Sequence, residues 1–95
     1  MSALSATLQS FFTTYLVGQR AASAHTIIAY RDTWRLLLVH MHTQTGICPA
    51  DIDVVDLDVE AIAGFLQYLE TVRGNSVRTR NARLAAIHAF FSYAS

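Results

Sequence analysis

The strongest candidate for chemistry is a short basic segment, residues 75–83, in which arginines alternate with small polar residues. Ser76 is a good N-cap, so the segment is expected to open a helix. The first turn of a helix offers free backbone N–H groups and a partial positive charge to a phosphate. Arginine can also pair with guanine edges, and asparagine with adenine. The segment therefore predicts a nucleic-acid contact, and the alternative is a solvated helix start whose arginine stems pack on neighbours.

The other polar residues form no recognisable catalytic or metal-binding motif. No nucleophile elbow frames a serine, and the four glycines stand alone, so neither a hydrolase triad nor a phosphate loop is predicted. His40, His42 and Cys48 have a spacing that matches no zinc motif. The acidic run over residues 51–58 lacks the glycine and the closing glutamate of a calcium loop. The sequence thus predicts no catalytic residue, no metal site and no cofactor.

The charges separate into two poles. Seven arginines, without any lysine, balance seven acidic residues, so the formal net charge is zero. Four of the arginines lie within residues 73–83, whereas five of the acids lie within residues 51–60. Zero net charge argues against nucleic acid, whose binders are usually basic. A separate basic pole can still present a positive face to a polyanion.

The composition predicts one small globular domain. The chain has 95 residues, and 53% of them are hydrophobic, which is far too many for a disordered chain. The single Cys48 excludes an internal disulfide and hence a disulfide-stapled secreted scaffold. The first fifteen residues lack the basic start of a signal peptide, and no run approaches the roughly 20 apolar residues that cross a bilayer. We therefore expect a cytoplasmic protein without a membrane partner.

Hydrophobic periodicity indicates four helices and no strand, which is an all-α four-helix bundle. The first helix is predicted over residues 5–17, with Gly18 as its stop, and the second over residues 23–41 behind the cap Ser23. The long connection over residues 43–57 is expected to pack its apolar side chains onto the bundle: Ile47, Ile52, Val54 and Val55.

The third helix is predicted behind the cap Asp58 as far as residue 72, and the fourth behind Ser76 as far as residue 93. The inward side of the fourth helix is predicted to hold Val77, Leu84, Ile87, Phe90 and Phe91. Its outward side is predicted to hold Arg78, Thr79, Ala82 and Ala86, with Arg83 beside them. The inward side of the second helix is predicted to hold Ile27, Tyr30, Trp34, Leu37, Leu38 and Met41. Its opposite, outward side is predicted to hold His25, Ala29, Asp32 and Leu36, flanked by Thr26 and Thr33.

Two segments together resemble the tyrosine recombinase (phage integrase) family. Residues 23–34, SAHTIIAYRDTW, are similar to its S-x-x-T-x-x-x-Y helix. Residues 75–93, NSVRTRNARLAAIHAFFSY, look like the last helix of its N-terminal core-binding, or SAM-like, domain. The acid-rich start DLDVEAIAGFL, residues 56–66, fits the helix between them. The resemblance covers nearly the whole chain and implies a compact SAM-like four-helix bundle.

The family implies a helical domain that clamps duplex DNA near the crossover site, opposite a separate C-terminal catalytic domain. On the second helix, the DNA-binding positions that the resemblance implies are His25, Thr26, Ala29 and Arg31. On the fourth helix, they are Arg78, Thr79, Arg80, Asn81, Ala82 and Arg83. Arg31 and Arg80 flank the core-facing stripes, so they fit the outward faces less well than the others.

The family's catalytic residues lie in its C-terminal domain, and none of them maps onto this sequence. Residues 1–95 are therefore predicted to be a single core-binding domain from a longer chain, and not an enzyme alone. This fits the fourth helix, which is still apolar where the chain stops at Ser95. The parent would link a tyrosine to a DNA 3′-phosphate without a metal or nucleotide cofactor, and Tyr93 is not that tyrosine.

The resemblance also implies the partners of the domain. These are double-stranded DNA, the catalytic domain of the same chain, and other recombinase protomers assembled on the DNA. A function of another class remains as the alternative, namely a stand-alone four-helix protein-interaction module. Such a module would bind its partner through exposed apolar residues near positions 90–93.

Overall fold

The computed structural model describes residues 3–95 and contains four α-helices within them, as the hydrophobic periodicity predicts. Helix α1 spans Ala3–Ser10 and continues as a π-helix over Phe11–Gln19. The other three helices are α2 (Ala24–Thr45), α3 (Val59–Thr71) and α4 (Val77–Ala94). Since no strand occurs within these described residues, the predicted all-α class is confirmed. None of the helices in residues 3–95 is both long and apolar enough to span a membrane.

The N-caps of α2, α3 and α4 are the three residues that the sequence predicts. The side chains of Ser23, Asp58 and Ser76 each accept a hydrogen bond from the backbone N–H three residues later, at 3.1, 2.8 and 3.1 Å. Each cap satisfies a donor that has no partner inside the helix, and this fixes where the helix begins.

The end of α1 differs from the prediction, because Gly18 does not stop the helix. The chain widens into a π-helix through Gln19, and the Arg20 N–H donates to the Tyr15 carbonyl at 2.8 Å, five residues back. The reversal falls at Ala21, whose φ of 49° is left-handed. The wider turn lets Phe11 and Leu16, which are five residues apart, both lie in the core.

Helix α2 runs one turn beyond its predicted end and stops at Gly46. This glycine has a φ of 76°, the left-handed conformation that only glycine adopts without strain. Two short 3₁₀ turns, Pro49–Asp51 and Val54–Asp56, then lead into α3.

The core lies where all four helices meet. Its largest fully buried side chains come from every helix and from the α2–α3 connection: Phe11, Phe65, Phe90, Leu4, Leu16, Leu37, Ile52, Leu69 and Ile87. Ile47 and Ile52 pack against this core, as predicted for the connection.

Five predicted positions were wrong, and the first is Leu36, which packs against the core although it was placed on the outward side of α2. Val54 and Val55, which open the 3₁₀ turn behind its capping residue Asp53, are 44% and 81% exposed and do not pack onto the bundle. Val77 is 61% exposed, since it is the first residue of α4. Ala86, predicted to face outward, is buried because α2 packs over it.

Candidate nucleic-acid interface

A groove of about 550 Å³ runs between α2 and α4. Seven of the ten residues predicted for DNA binding line it: His25, Thr26, Ala29, Arg78, Thr79, Ala82 and Arg83. Tyr30, Asp32, Thr33 and Ala86 complete the lining. The structure therefore brings together, on one surface, most of the positions that two separate sequence segments supplied.

The two walls of the groove repeat the same local pattern. Both helices begin Ser-x-x-Thr, and in each the serine hydroxyl also bonds the threonine hydroxyl, at 3.0 Å in α2 and 3.2 Å in α4. Counted from the serine caps, the lining residues pair position by position: His25 with Arg78, Thr26 with Thr79, Ala29 with Ala82, Tyr30 with Arg83, and Thr33 with Ala86.

The first turns of both helices line the groove, because the residues two and three positions after each serine cap belong to its walls. Each N-terminus carries a partial positive charge and backbone N–H groups that lack helical partners. Alanines at the sixth position after each cap keep side-chain bulk low between the two walls. This part of the groove is therefore electropositive and open to a ligand with phosphate groups.

The two arginines of the groove differ in their partners. Arg78 is exposed and forms no ion pair with any residue of the 3–95 range. The Arg83 side chain is only 18% exposed, and its Nη1 donates to Asp32 Oδ2 and to Thr33 Oγ1, both at 3.2 Å. Arg78 is thus the arginine whose charge is available to a ligand, whereas Arg83 is held by the groove itself.

The buried Thr33 holds the Arg83 side chain in place. It is 2% exposed, and its hydroxyl donates to the Ala29 carbonyl at 3.0 Å, so its oxygen is left to accept from Arg83. Asp32 also faces Arg35, whose Nη2 lies 3.6 Å from Oδ1. The carboxylate is therefore shared between two arginines at the edge of the groove.

The remaining three predicted residues lie elsewhere. Arg31 is exposed on α2, beside a shallow hollow that it shares with Ile28 and Arg35. Arg80 forms an ion pair with Glu70 of α3 and donates to Asn81 Oδ1 at 3.0 Å. Asn81 is exposed and does not line the groove. A DNA contact by these three would have to come from outside the groove.

Four lining residues were not among the predicted site residues. Tyr30 was assigned to the core, Asp32 to the outward face, Thr33 to its flank and Ala86 to the outward face of α4. Aligning the two Ser-x-x-Thr starts would have identified Tyr30, because it pairs with the predicted Arg83, whereas Thr33 and Ala86 pair only with each other. Asp32 has no such counterpart in the lining, since the equivalent Ala85 lies outside it.

His40, His42 and Cys48, the residues considered as metal ligands, have separate surroundings. The His40 ring lies 4.9 Å from that of Tyr68 and 5.6 Å from that of Phe65. His42 Nδ1 instead bonds the Ile47 carbonyl at 2.9 Å, and Cys48 is exposed. Within residues 3–95, no three histidine, cysteine or acidic side chains are placed to hold a metal ion.

The sequence matches one family among known proteins. Residues 9–95 match the family model described as the phage integrase N-terminal SAM-like domain. Two curated proteins of Sinorhizobium fredii are also similar. The chain is 45% identical to the candidate integrase/recombinase y4rC over 94 residues, and 42% identical to the candidate integrase/recombinase y4rD over 86 residues.

The alignments cover 99% and 90% of this chain but only 28% and 31% of the two relatives. The chain thus spans less than a third of the length of the curated relatives it matches. No solved structure matches it significantly.

Proposed function

The chain belongs to the family of phage integrase N-terminal SAM-like domains, and from that premise we propose that it is the DNA-binding domain of a tyrosine recombinase. It would hold duplex DNA near the crossover site, with the groove between α2 and α4 against the DNA. The observation that carries this proposal is the groove itself, where two helix N-termini and the unpaired Arg78 converge.

The physical basis of binding is electrostatic. A duplex offers closely spaced phosphates, and cationic groups that neutralise them release counterions. The two helix N-termini add backbone N–H donors that suit phosphate oxygens. The acidic pole does not oppose this contact, because the acids of residues 51–60 do not line the groove.

Catalysis would belong to another part of the parent protein. We propose that a C-terminal catalytic domain of the same chain supplies the tyrosine and that other protomers assemble with it on DNA in the cytoplasm. Tyr93 does not suit the role of nucleophile, because its hydroxyl lies 2.6 Å from Ser10 Oγ and its ring packs on Phe11 and Tyr15.

A protein-interaction role is the second candidate, and an apolar groove of about 470 Å³ between α3 and α4 favours it. Ile62, Leu66, Ile87 and Phe91 line this groove, and Val59 at its edge is 85% exposed. Phe90, which the sequence placed near such a surface, is fully buried instead.

Salt dependence and one charge substitution test the DNA proposal. We expect the chain to bind a labelled duplex with an affinity that falls steeply as salt rises from about 50 to 200 mM. Arg78→Ala should weaken binding several-fold and make the slope of log K against log salt shallower by roughly 0.9. Fluorescence anisotropy measures both quantities.

The matched control is Arg73→Ala, which removes an exposed arginine that does not line the groove. Equal losses in the two variants would mean that only overall charge matters, and would reject the groove as the contact. Arg83→Ala is a poorer test, because it also leaves the buried Thr33 oxygen and the Asp32 carboxylate without their partner.

A further inference from the structure

Asp32 is the one acidic side chain among the groove-lining residues, all of which lie in the described part of the chain. Every other lining residue of α2 has a counterpart on α4 at the same distance from its serine cap. Asp32 breaks this pairing and places a negative charge on a surface proposed to face phosphates. Its side chain is 42% exposed, so burial does not remove that charge from the groove.

The position of Asp32 is fixed by its partners. Oδ2 accepts from Arg83 Nη1, and Nη1 is also held by the buried Thr33 hydroxyl. The Arg83 guanidinium is thereby anchored at two points on α2, and its own charge is largely balanced by the carboxylate beside it. A phosphate approaching Arg83 would have to compete with Asp32 for the guanidinium while being repelled by it.

We propose that Asp32 is a specificity-determining residue, which holds Arg83 away from phosphates and thereby disfavours sequence-independent binding of DNA in this groove. A carboxylate repels the phosphate backbone but can accept a hydrogen bond from a base amino group such as that of cytosine. The Asp32–Arg83 pair therefore favours base edges over the backbone. This inference rests on the proposed function, because it concerns the same groove.

The test is Asp32→Asn, which keeps the shape of the side chain and an oxygen that can accept from Arg83. We expect the variant to bind a labelled random-sequence duplex about 3- to 10-fold more tightly than the unchanged chain at low salt. Its slope of log K against log salt should steepen by roughly 0.9, because the neutral amide no longer balances the charge of Arg83, which can then neutralise one more phosphate.

The chain offers a control in Glu60→Gln. Glu60 is an exposed acidic residue of α3 that does not line the groove. The two substitutions remove the same charge, but only Asp32→Asn changes the groove. Glu60→Gln should therefore leave the affinity within about twofold, whereas an equal gain in both variants would mean a general charge effect and would overturn the inference.

A second readout concerns sequence preference. After selection from a randomised duplex pool, the unchanged chain should enrich particular sequences more strongly than Asp32→Asn does. Equal enrichment, or none with either protein, would overturn the role in specificity. Thermal unfolding checks that the variant is folded, and Asp32→Ala serves as the second variant if it is not.

The results also separate this inference from the proposed function. If Arg78→Ala weakens binding but Asp32→Asn does not strengthen it, the groove still binds DNA and only the role of Asp32 fails. If neither the unchanged chain nor Asp32→Asn binds the duplex in a salt-dependent manner, both fail together.

Discussion

At the scale of single residues, His40 shows how packing sets the protonation of a side chain. It lies on α2 against the rings of Phe65 and Tyr68 on α3, and burial lowers the pKa of its imidazole because the charged form loses contact with water. Acidic residues line the hollow that adjoins it, namely Asp56, Asp58 and Glu60.

This shift predicts a pH dependence of stability. Because the pKa of His40 is lower in the folded chain, the unfolded chain takes up a proton first as pH falls below the ordinary value of about 6.5. The free energy of unfolding should therefore decrease on acidification from about pH 7.5 to 5.5. His40→Phe keeps a ring between α2 and α3 but cannot titrate, so it should flatten this decline.

Urea unfolding at a series of pH values measures the effect, with the unchanged chain as reference. A decline of equal steepness in both proteins would show that His40 is not its source.

At the scale of the elements, α2 and α4 are built alike, and their likeness makes the groove. Each begins with a capping serine, places a threonine three residues later, and presents an alanine to the groove one turn further on. Two helices whose first turns line one groove bring to it the partial charges that an isolated helix offers singly. The binding surface thus depends on where each helix begins.

The cap of α4 is therefore predicted to stabilise the folded chain. Ser76→Ala removes the acceptor of the Thr79 N–H and should lower the free energy of unfolding by about 1 kcal/mol. Ser92→Ala is the matched control, since Ser92 is an exposed serine within the same helix. Chemical denaturation measures the free energy of unfolding of both variants. An equally large decrease for Ser92→Ala would contradict a capping role for Ser76.

At the scale of the whole molecule, an aromatic cluster joins α1 to the rest of the bundle. Phe11 is fully buried, and its ring centroid lies 5.5 Å from that of Phe90, 5.4 Å from that of Tyr93 and 6.4 Å from that of Tyr30. The hydrogen bond between Ser10 and Tyr93 closes the same contact. A small domain has few such anchors, so each carries a large share of its stability.

Phe11→Ala should accordingly destabilise the chain by about 3–5 kcal/mol, a large fraction of the total for a domain of this size. Phe12→Ala, at the neighbouring half-buried position, should cost clearly less. Thermal and urea unfolding of the two variants compare them directly. Similar losses would mean that α1 is held by general apolar contact and not by the Phe11 cluster.

Local chemistry explains why much of this molecule could be predicted from its sequence. Ser23, Asp58 and Ser76 cap helices because a side-chain oxygen meets a backbone N–H only three residues away, which needs no tertiary contact. The inward positions of α2 follow from the helical repeat in the same way, and Trp34, Leu37 and Met41 are buried as predicted. Helix ends without such a cap, as at Gly18, were less predictable.

Only the tertiary structure decided how the inward and outward faces of the helices meet one another. The burial of Ala86, the exposure of Val55 and the bond from Arg83 to Asp32 all depend on how elements far apart in sequence pack together. The sequence thus determined the four helices, their caps and the two charged poles, because these depend on neighbours within a few residues. The pairing of α2 with α4, and hence the groove and the acid within it, required the packed chain.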